Sequence, residues 1–268
     1  MVQGVAVSGS YVYVANAGAG LKIVNVSNPV SPTVTGAYNT LGSAANVAVS
    51  GGYAYVAGAF SGLQIIDISV PAAPTLTGTY DTFGAAYGVA VNGMYAYVAD
   101  DTFGLQIIDV STPSSPSQIG LFDTPGNAYS VALFGSYAYV ADYASGLYII
   151  NVSNPASATL AGIYDTPGNA YGVAMVGVYA YVADSAAGLQ IIDVSAPAAP
   201  TLTGTYDTPG VARGVHVSGN YAFVADGGAG LQIVNISAPA TPTLSGAYNA
   251  PDNVRGAAVS GSYAYVTA

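Results

Sequence analysis

The feature that most constrains this chain is a repeat of fixed length. The stretch Tyr95 to Ser111, reading YAYVADDTFGLQIIDVS, recurs in close copies from end to end, and its leading tyrosine returns as Tyr11, Tyr53, Tyr95, Tyr137, Tyr179, Tyr221 and Tyr263. Every step is 42 residues, with no insertion or deletion. A period in the range of about 20–50 residues marks a supersecondary unit that cannot bury its apolar face alone and must stack on its neighbours. An unbroken array of such units argues for a single domain over residues 1–268.

Each unit reads as strands. A short apolar run such as Gly88-Val89-Ala90-Val91 is followed by a turn centred on Gly93 and then by Tyr95-Ala96-Tyr97-Val98, a hairpin signal. Such hairpins start near residues 4, 46, 88, 130, 172, 214 and 256. The turn glycine recurs from Gly9 to Gly261, as expected where the backbone needs positive φ. A glycine-ended loop leads to a third strand, Leu-x-Ile-(Ile/Val)-(Asp/Asn)-(Val/Ile)-Ser, whose branched residues suit a strand covered on both faces. Prolines follow, at Pro71 and Pro74 for example, and proline cannot donate to a ladder. They mark the turn into a fourth strand, typified by Thr201 to Tyr206, which is expected to be the exposed edge.

Four antiparallel strands per 42-residue unit is the pattern of an all-β fold, the β-propeller. A β-sandwich is the competing architecture, but its strands occupy unlike positions and gain nothing from a strict repeat. The first two strands occur seven times and the last two six times, giving six full blades and a two-stranded half-blade at Gly256 to Thr267. A seven-position ring is the preferred closure, since a spare hairpin would expose Tyr263, Tyr265 and Val266 and an unpaired edge. A six-bladed ring with a spare hairpin, or a piece of a longer array, are the alternatives.

Leu63-Gln64-Ile65-Ile66-Asp67-Ile68-Ser69 and its copies, the proline pair and then Tyr80-Asp81 resemble the repeats of the LVIVD-repeat family, over nearly the whole chain. That resemblance implies a propeller, found mainly in prokaryotic and often secreted or surface-exposed proteins. It implies no activity common to its members and no catalytic residues.

Composition narrows the function classes. There are 13 acidic groups, all aspartate, against three basic ones, Lys22, Arg213 and Arg255, and charged residues are 6% of the total. A chain so poor in cations cannot neutralise a phosphate backbone, so nucleic acid is not an expected partner. No apolar run approaches the roughly 18 residues of a membrane-spanning helix. The chain has no cysteine, which removes disulfides, thiolate catalysis and cysteine-ligated metals. No Gly-x-Ser-x-Gly elbow accompanies the single histidine, and glutamate is absent, so no catalytic residues are assigned and a non-enzymatic role is expected. Residues Val2 to Ser8 already match a repeat strand and leave no room for a signal peptide; an extracellular or cell-surface location would require its prior removal.

The aspartates are periodic. Asp100, Asp142, Asp184 and Asp226 close the second strand, Asp67, Asp109 and Asp193 sit late in the third, and Asp81, Asp123, Asp165 and Asp207 follow the fourth. Asparagine occupies equivalent places at Asn16, Asn25, Asn39, Asn151, Asn235 and Asn249, which points to side-chain-to-backbone turns that need the oxygen and not the charge. The rival reading is calcium held by Asp100 or Asp101 and a neighbouring loop, although no Asp-x-Asp-x-Asp-Gly loop is present. No cofactor and no other metal are expected.

One position departs from the repeat. The residue immediately before the first strand, near the channel mouth on the face with the loops after strands two and four, is in turn Gln3, Ala45, Tyr87, Tyr129, Tyr171, Arg213 and Arg255. Tyrosine with arginine is enriched at binding hot spots, and an arginine fork suits a carboxylate. The bland alternative is that both arginines relieve repulsion from Asp207 and Asp252. His216, two positions after Gly214 and three after Arg213, stands where other units have alanine and joins the candidate ligand-binding set.

Three functional expectations follow. The first is a binding or structural module engaging a protein or cell surface. The second is a glycan or small-molecule receptor at the channel mouth. The third is a homo-oligomer that polymerises through its half-blade.

Overall fold

The computed structural model describes residues 4–268. Six four-stranded antiparallel sheets and one two-stranded sheet are arranged as the blades of a β-propeller. Blade 3 shows the plan. Its strands Gly88–Asn92, Tyr95–Ala99, Leu105–Asp109 and Ser117–Phe122 pair in chain order, with Tyr97 opposite both Ala90 and Ile107. The ladder to the outermost strand slips by one residue between Ile107 and Ile108, and the same irregularity recurs in all six full blades. Such a bulge increases local twist. The fourth strand is the outermost and carries the exposed residues, as the prolines before it require.

Alternation along the second and third strands sends side chains to two neighbouring blades. Tyr97, Ala99, Leu105 and Ile107 of blade 3 pack with Ala138, Val140 and Ile150 of blade 4. Ala96, Val98 and Ile108, on the opposite face, pack with Tyr55, Leu63 and Ile65 of blade 2. Both faces are therefore dry, which is why these strands read as almost continuous apolar runs. Five such clusters join blades 1 to 6 in succession.

The innermost strand of the half-blade, Gly256–Ser260, lies beside both the innermost strand of blade 6, Gly214–Ser218, and that of blade 1, Val5–Ser8. The ring therefore has seven positions, the seventh filled by Gly256–Ser260 and Tyr263–Thr267. No helix is long and apolar enough to cross a membrane among the described residues.

Candidate functional site

Two backbone contacts build the channel mouth in successive units. The residue before each first strand donates its N–H to the carbonyl that ends the second strand: Tyr87 to Ala99, Tyr129 to Ala141, Tyr171 to Ala183, Arg213 to Ala225 and Arg255 to Thr267, all at 2.8–2.9 Å. The residue one place earlier forms an isolated antiparallel bridge with the preceding blade's loop between strands two and three, as in Asp101 with Ala128, Tyr143 with Ala170 and Ser185 with Ala212. Main-chain bonds hold these positions, so their side chains are free to vary. Units 2 to 6 thus each offer two variable side chains at the mouth, one from the residue before the first strand and one from the previous blade's loop.

That loop position is unusual. Ala17, Ala59, Asp101, Tyr143 and Ser185 all have positive φ, between 42° and 54°, where the sixth unit has Gly227. A non-glycine residue in this region costs about 1–2 kcal/mol. The strain is carried in five consecutive units, and the bridge it makes ties adjacent blades together.

The predicted tyrosines come together. Tyr87 and Tyr129 stack with centroids 4.9 Å apart and planes 9° from parallel, and Tyr129 meets Tyr171 edge to face at 5.1 Å. The guanidinium of Arg213 lies over the Tyr171 ring at 5.4 Å, a cation–π contact. Tyr143, which sequence reasoning missed, closes the cluster, lying 5.5 Å from Tyr129 and 5.4 Å from Tyr171. Its bridge to Ala170 places it there, and the signal was available: positions 17, 59, 101, 143, 185 and 227 read Ala, Ala, Asp, Tyr, Ser and Gly while the loop around them repeats.

Next to this cluster a cavity of about 190 Å³ opens into the channel, lined by Asn46, Tyr129, Tyr171, Arg213, His216 and Arg255 among others. Two of the protein's three cationic side chains thus face one cavity in a chain of net charge -10. His216 is paired in register with Phe223, where every other unit pairs alanine with tyrosine. Burial pushes its imidazole below the usual range, so it is neutral at pH 7. Burial, followed by the neighbouring tyrosines Tyr87 and Tyr171 and by Asp101, pushes the Tyr129 phenol up to about 12. Burial and Tyr143 raise Tyr171 while Arg213 pulls it the other way. The cavity therefore presents two fixed positive charges, neutral phenols and a neutral imidazole. Ala45 is buried and adds no polar group, and Gln3 lies outside the described residues.

The eleven periodic aspartates divide into three kinds, and one departs from expectation. Asp67, Asp109 and Asp193, like Asn25, Asn151 and Asn235, accept the N–H of the serine two residues on at 2.8–2.9 Å, the expected turn. Asp81, Asp123, Asp165 and Asp207 are exposed. Asp100, Asp142, Asp184 and Asp226 are instead fully buried, and none makes the local turn that their exchange with asparagine suggested. One carboxylate oxygen accepts the hydroxyl of Thr82, Thr124, Thr166 or Thr208 at 2.6–2.7 Å, and the other accepts the N–H of Gly84, Gly126, Gly168 or Gly210 at 2.8–2.9 Å. Each locks the loop that carries the chain in from the preceding blade. Burial raises these carboxyls above their ordinary range, while the threonine and glycine donors pull them down. In unit 2 the equivalent residue is Gly58, and Gln64 bonds the Leu41 backbone in its place. Asp101 accepts a bond from Asn127. Among the described residues no three His, Cys, Asp or Glu side chains converge as a metal site.

On the same face, the loops of blades 2 and 3 expose Leu41, Phe60, Phe83 and Phe103, with Phe60 83% accessible and Phe83 and Phe103 5.9 Å apart. Leu41 and Phe83 stand where the later units carry proline, as at Pro125, Pro167 and Pro209.

A family model described as LVIVD repeat matches six consecutive segments, residues 1–40, 41–82, 83–124, 125–166, 167–208 and 209–250. No curated protein matches the chain. Solved structures share the fold at low identity. A chain of the Mitotic Checkpoint Complex superposes with TM-score 0.80 at 15% identity, over 96% of this chain and 81% of that one. The computationally designed Ika8 protein gives 0.74 at 7%, over 98% and 79%. A functionally unknown protein from Desulfotomaculum acetoxidans DSM 771 gives 0.73 at 12%, over 86% and 76%.

Proposed function

Since the chain belongs to the LVIVD-repeat family, we propose from its own residues that it is a non-enzymatic binding module acting outside the cytoplasm. Its ligand site is the channel mouth, and the ligand carries an anionic group on a ring, as an acidic sugar does. The observation that carries this reading is the continuous cluster Tyr87, Tyr129, Tyr143, Tyr171 and Arg213 beside a cavity that also holds Arg255. Arginine supplies a planar fork for a carboxylate, and tyrosine edges and faces receive the ring. Two arginines on one small cavity in an otherwise acidic protein favour anions by field as well as by contact.

Glucuronate and N-acetylneuraminate, titrated by calorimetry against neutral glucose, test the proposal. Binding of an acidic sugar, lost by about 10- to 100-fold in the Arg213→Ala/Arg255→Ala double variant, is the expected result, since a hydrogen bond to a charged group contributes about 1.5–3 kcal/mol. An unchanged affinity in the double variant refutes it.

A second reading, docking of a partner protein on the same face, is favoured by the exposed Leu41, Phe60, Phe83 and Phe103. Replacing Phe60 and Phe83 by serine separates the two, since it removes the apolar patch and leaves the arginine cavity intact.

A further inference from the structure

Among the described residues, the Oε1 atom of Gln190 is the one buried side-chain oxygen or nitrogen without a hydrogen-bond partner. The residue is 2% exposed, and a buried acceptor left unpaired is costly. Blade 3 shows what belongs against it. There Gln106, the equivalent of Gln190, donates from Nε2 to the Phe103 carbonyl at 3.0 Å and accepts at Oε1 from Gln118 Nε2 at 2.7 Å. Gln118 in turn accepts the hydroxyl of Tyr80, from blade 2, at 3.2 Å. One carboxamide thus bridges a tyrosine of the preceding blade to the third-strand glutamine.

Blade 5 keeps both ends of this bridge and lacks its middle. Gln190 donates from Nε2 to the Ala187 carbonyl at 2.6 Å, the counterpart of the Phe103 bond. A carbonyl can accept only from the N–H side of the amide, which fixes its orientation. Oε1 therefore points towards position 202 and Tyr164, as Gln106 Oε1 points towards Gln118 and Tyr80. Tyr164 is the counterpart of Tyr80, but Leu202 stands where blade 3 has Gln118, and it has no donor to give. At that place a groove of about 550 Å³ runs between blades 4 and 5, lined by Tyr164, Asp165, Gln190, Leu202, Thr205 and Asp207 among others. Thr205, in register with Gln190, replaces Leu121 of blade 3 and adds a hydroxyl, and Asp165 and Asp207 add two exposed carboxylates. Leu202 is 46% exposed, so its side chain can turn aside to uncover Oε1.

The other blades close this position themselves or change its lining. Gln64 commits both amide atoms to the Leu41 backbone, and blades 1 and 4 carry Lys22 and Tyr148 in place of the glutamine. In blade 6, where Gln232 donates to the Ala229 carbonyl, Ala247 and Asn249 replace Thr205 and Asp207.

We propose that the groove between blades 4 and 5 is a second binding site, separate from the channel mouth, for the acetamido group of an N-acetylated amino sugar such as N-acetylglucosamine. The ligand's amide takes the part of the Gln118 amide. Its N–H donates to Gln190 Oε1, its carbonyl accepts the Tyr164 hydroxyl, and its methyl lies against Leu202. Sugar hydroxyls donate to Asp165 and Asp207, whose ionised carboxylates only accept. Two carboxylates and the Thr205 hydroxyl in one groove match a ring of hydroxyls, which is why an acetamido sugar is assigned in place of a peptide amide. The same carboxylates disfavour the acidic sugars assigned to the channel mouth, so the two sites take ligands of different charge.

N-acetylglucosamine titrated into the full chain and followed by backbone amide NMR tests this, with glucose and N-acetylglycinamide as controls. Saturable shifts confined to the groove are expected, and glucose should bind at least about tenfold more weakly because it leaves Gln190 Oε1 unpaired. Leu202→Gln rebuilds the bridge of blade 3, so it should raise Tm by about 2–4 °C and weaken the sugar at least about tenfold. Tyr164→Phe, which removes one hydroxyl, should also weaken it, by about fivefold or more. The Arg213→Ala/Arg255→Ala variant should bind N-acetylglucosamine as the parent does; loss of binding there would place the sugar at the channel mouth instead. No response to N-acetylglucosamine, an equal response to glucose, or unchanged affinity in both Leu202→Gln and Tyr164→Phe overturns the proposal. N-acetylglycinamide binding as tightly as the sugar would mean that an amide is read without a sugar, and overturns the choice of ligand.

Discussion

Replacing Asp142 discriminates a hydrogen-bonding role from a charge-bearing one. Its carboxylate is buried and accepts the Thr124 hydroxyl at 2.6 Å and the Gly126 N–H at 2.8 Å, with the Ser145 hydroxyl a further partner. In Asp142→Ala these donors are orphaned, at about 1–3 kcal/mol each, so a loss of about 2–6 kcal/mol is expected. For a domain of this size that is a fall in Tm of roughly 5–15 °C. In Asp142→Asn the amide oxygen takes the Gly126 N–H and the amide nitrogen donates to the Thr124 oxygen, so both partners remain satisfied. The buried charge is removed at the same time, and the asparagine variant should match or exceed the parent at pH 7. The protein itself carries asparagine at the equivalent position, Asn16. Thermal and urea unfolding of the two variants, with and without calcium, decides the matter. If Asp142→Asn is as damaging as Asp142→Ala, or if calcium stabilises the parent and not the asparagine variant, the carboxylate is needed as a charge and the reasoning fails.

Two further outcomes follow from the same geometry. Asp100, Asp142, Asp184 and Asp226 have folded pKa values raised above the ordinary 3.8, so their contribution is complete below that value and is lost as pH rises through the folded pKa. Asp67, Asp109 and Asp193 are lowered by the Ser69, Ser111 and Ser195 donors, and their contribution is lost only as pH falls below 3.8. Stability measured by urea unfolding at low protein concentration should therefore peak near pH 4 and decline towards pH 7, about where the two sets of shifts meet; a maximum at neutral pH would contradict this. Gly204→Ala should cost about 1–3 kcal/mol, because a Cβ there would collide with the Pro239 carbonyl oxygen, while Gly246→Ala, where nothing lies nearer than 4.0 Å, should stay within about 0.5 kcal/mol of the parent. Equal effects at the two sites would mean that Gly246 is packed as closely as Gly204.

How much was legible beforehand depends on the distance over which each fact is decided. The 42-residue period, the four strands of a unit, the glycine turns and the outer position of the fourth strand were readable because they rest on local alternation, proline chemistry and positive φ. The ring of Tyr87, Tyr129, Tyr171, Arg213 and Arg255 was also readable, as the one position that stops repeating before a first strand. Tyr143 was not, although its position varies as well, because only the bridge to Ala170 brings a loop of blade 4 to the mouth of blade 5. The buried aspartates were misjudged for a related reason. Their partners sit 18 residues earlier, in the loop from the previous blade, and a periodic sequence shows the acid and the threonine with equal regularity without showing that they meet. A seven-position ring was preferred from the sequence over a six-bladed ring with a spare hairpin, but it was the tertiary structure, with Gly256–Ser260 beside both Gly214–Ser218 and Val5–Ser8, that decided between them. Identical units carry identical local preferences, and the number that completes a circle depends on the angle at which two sheets pack, which is set by contacts between residues a whole unit apart.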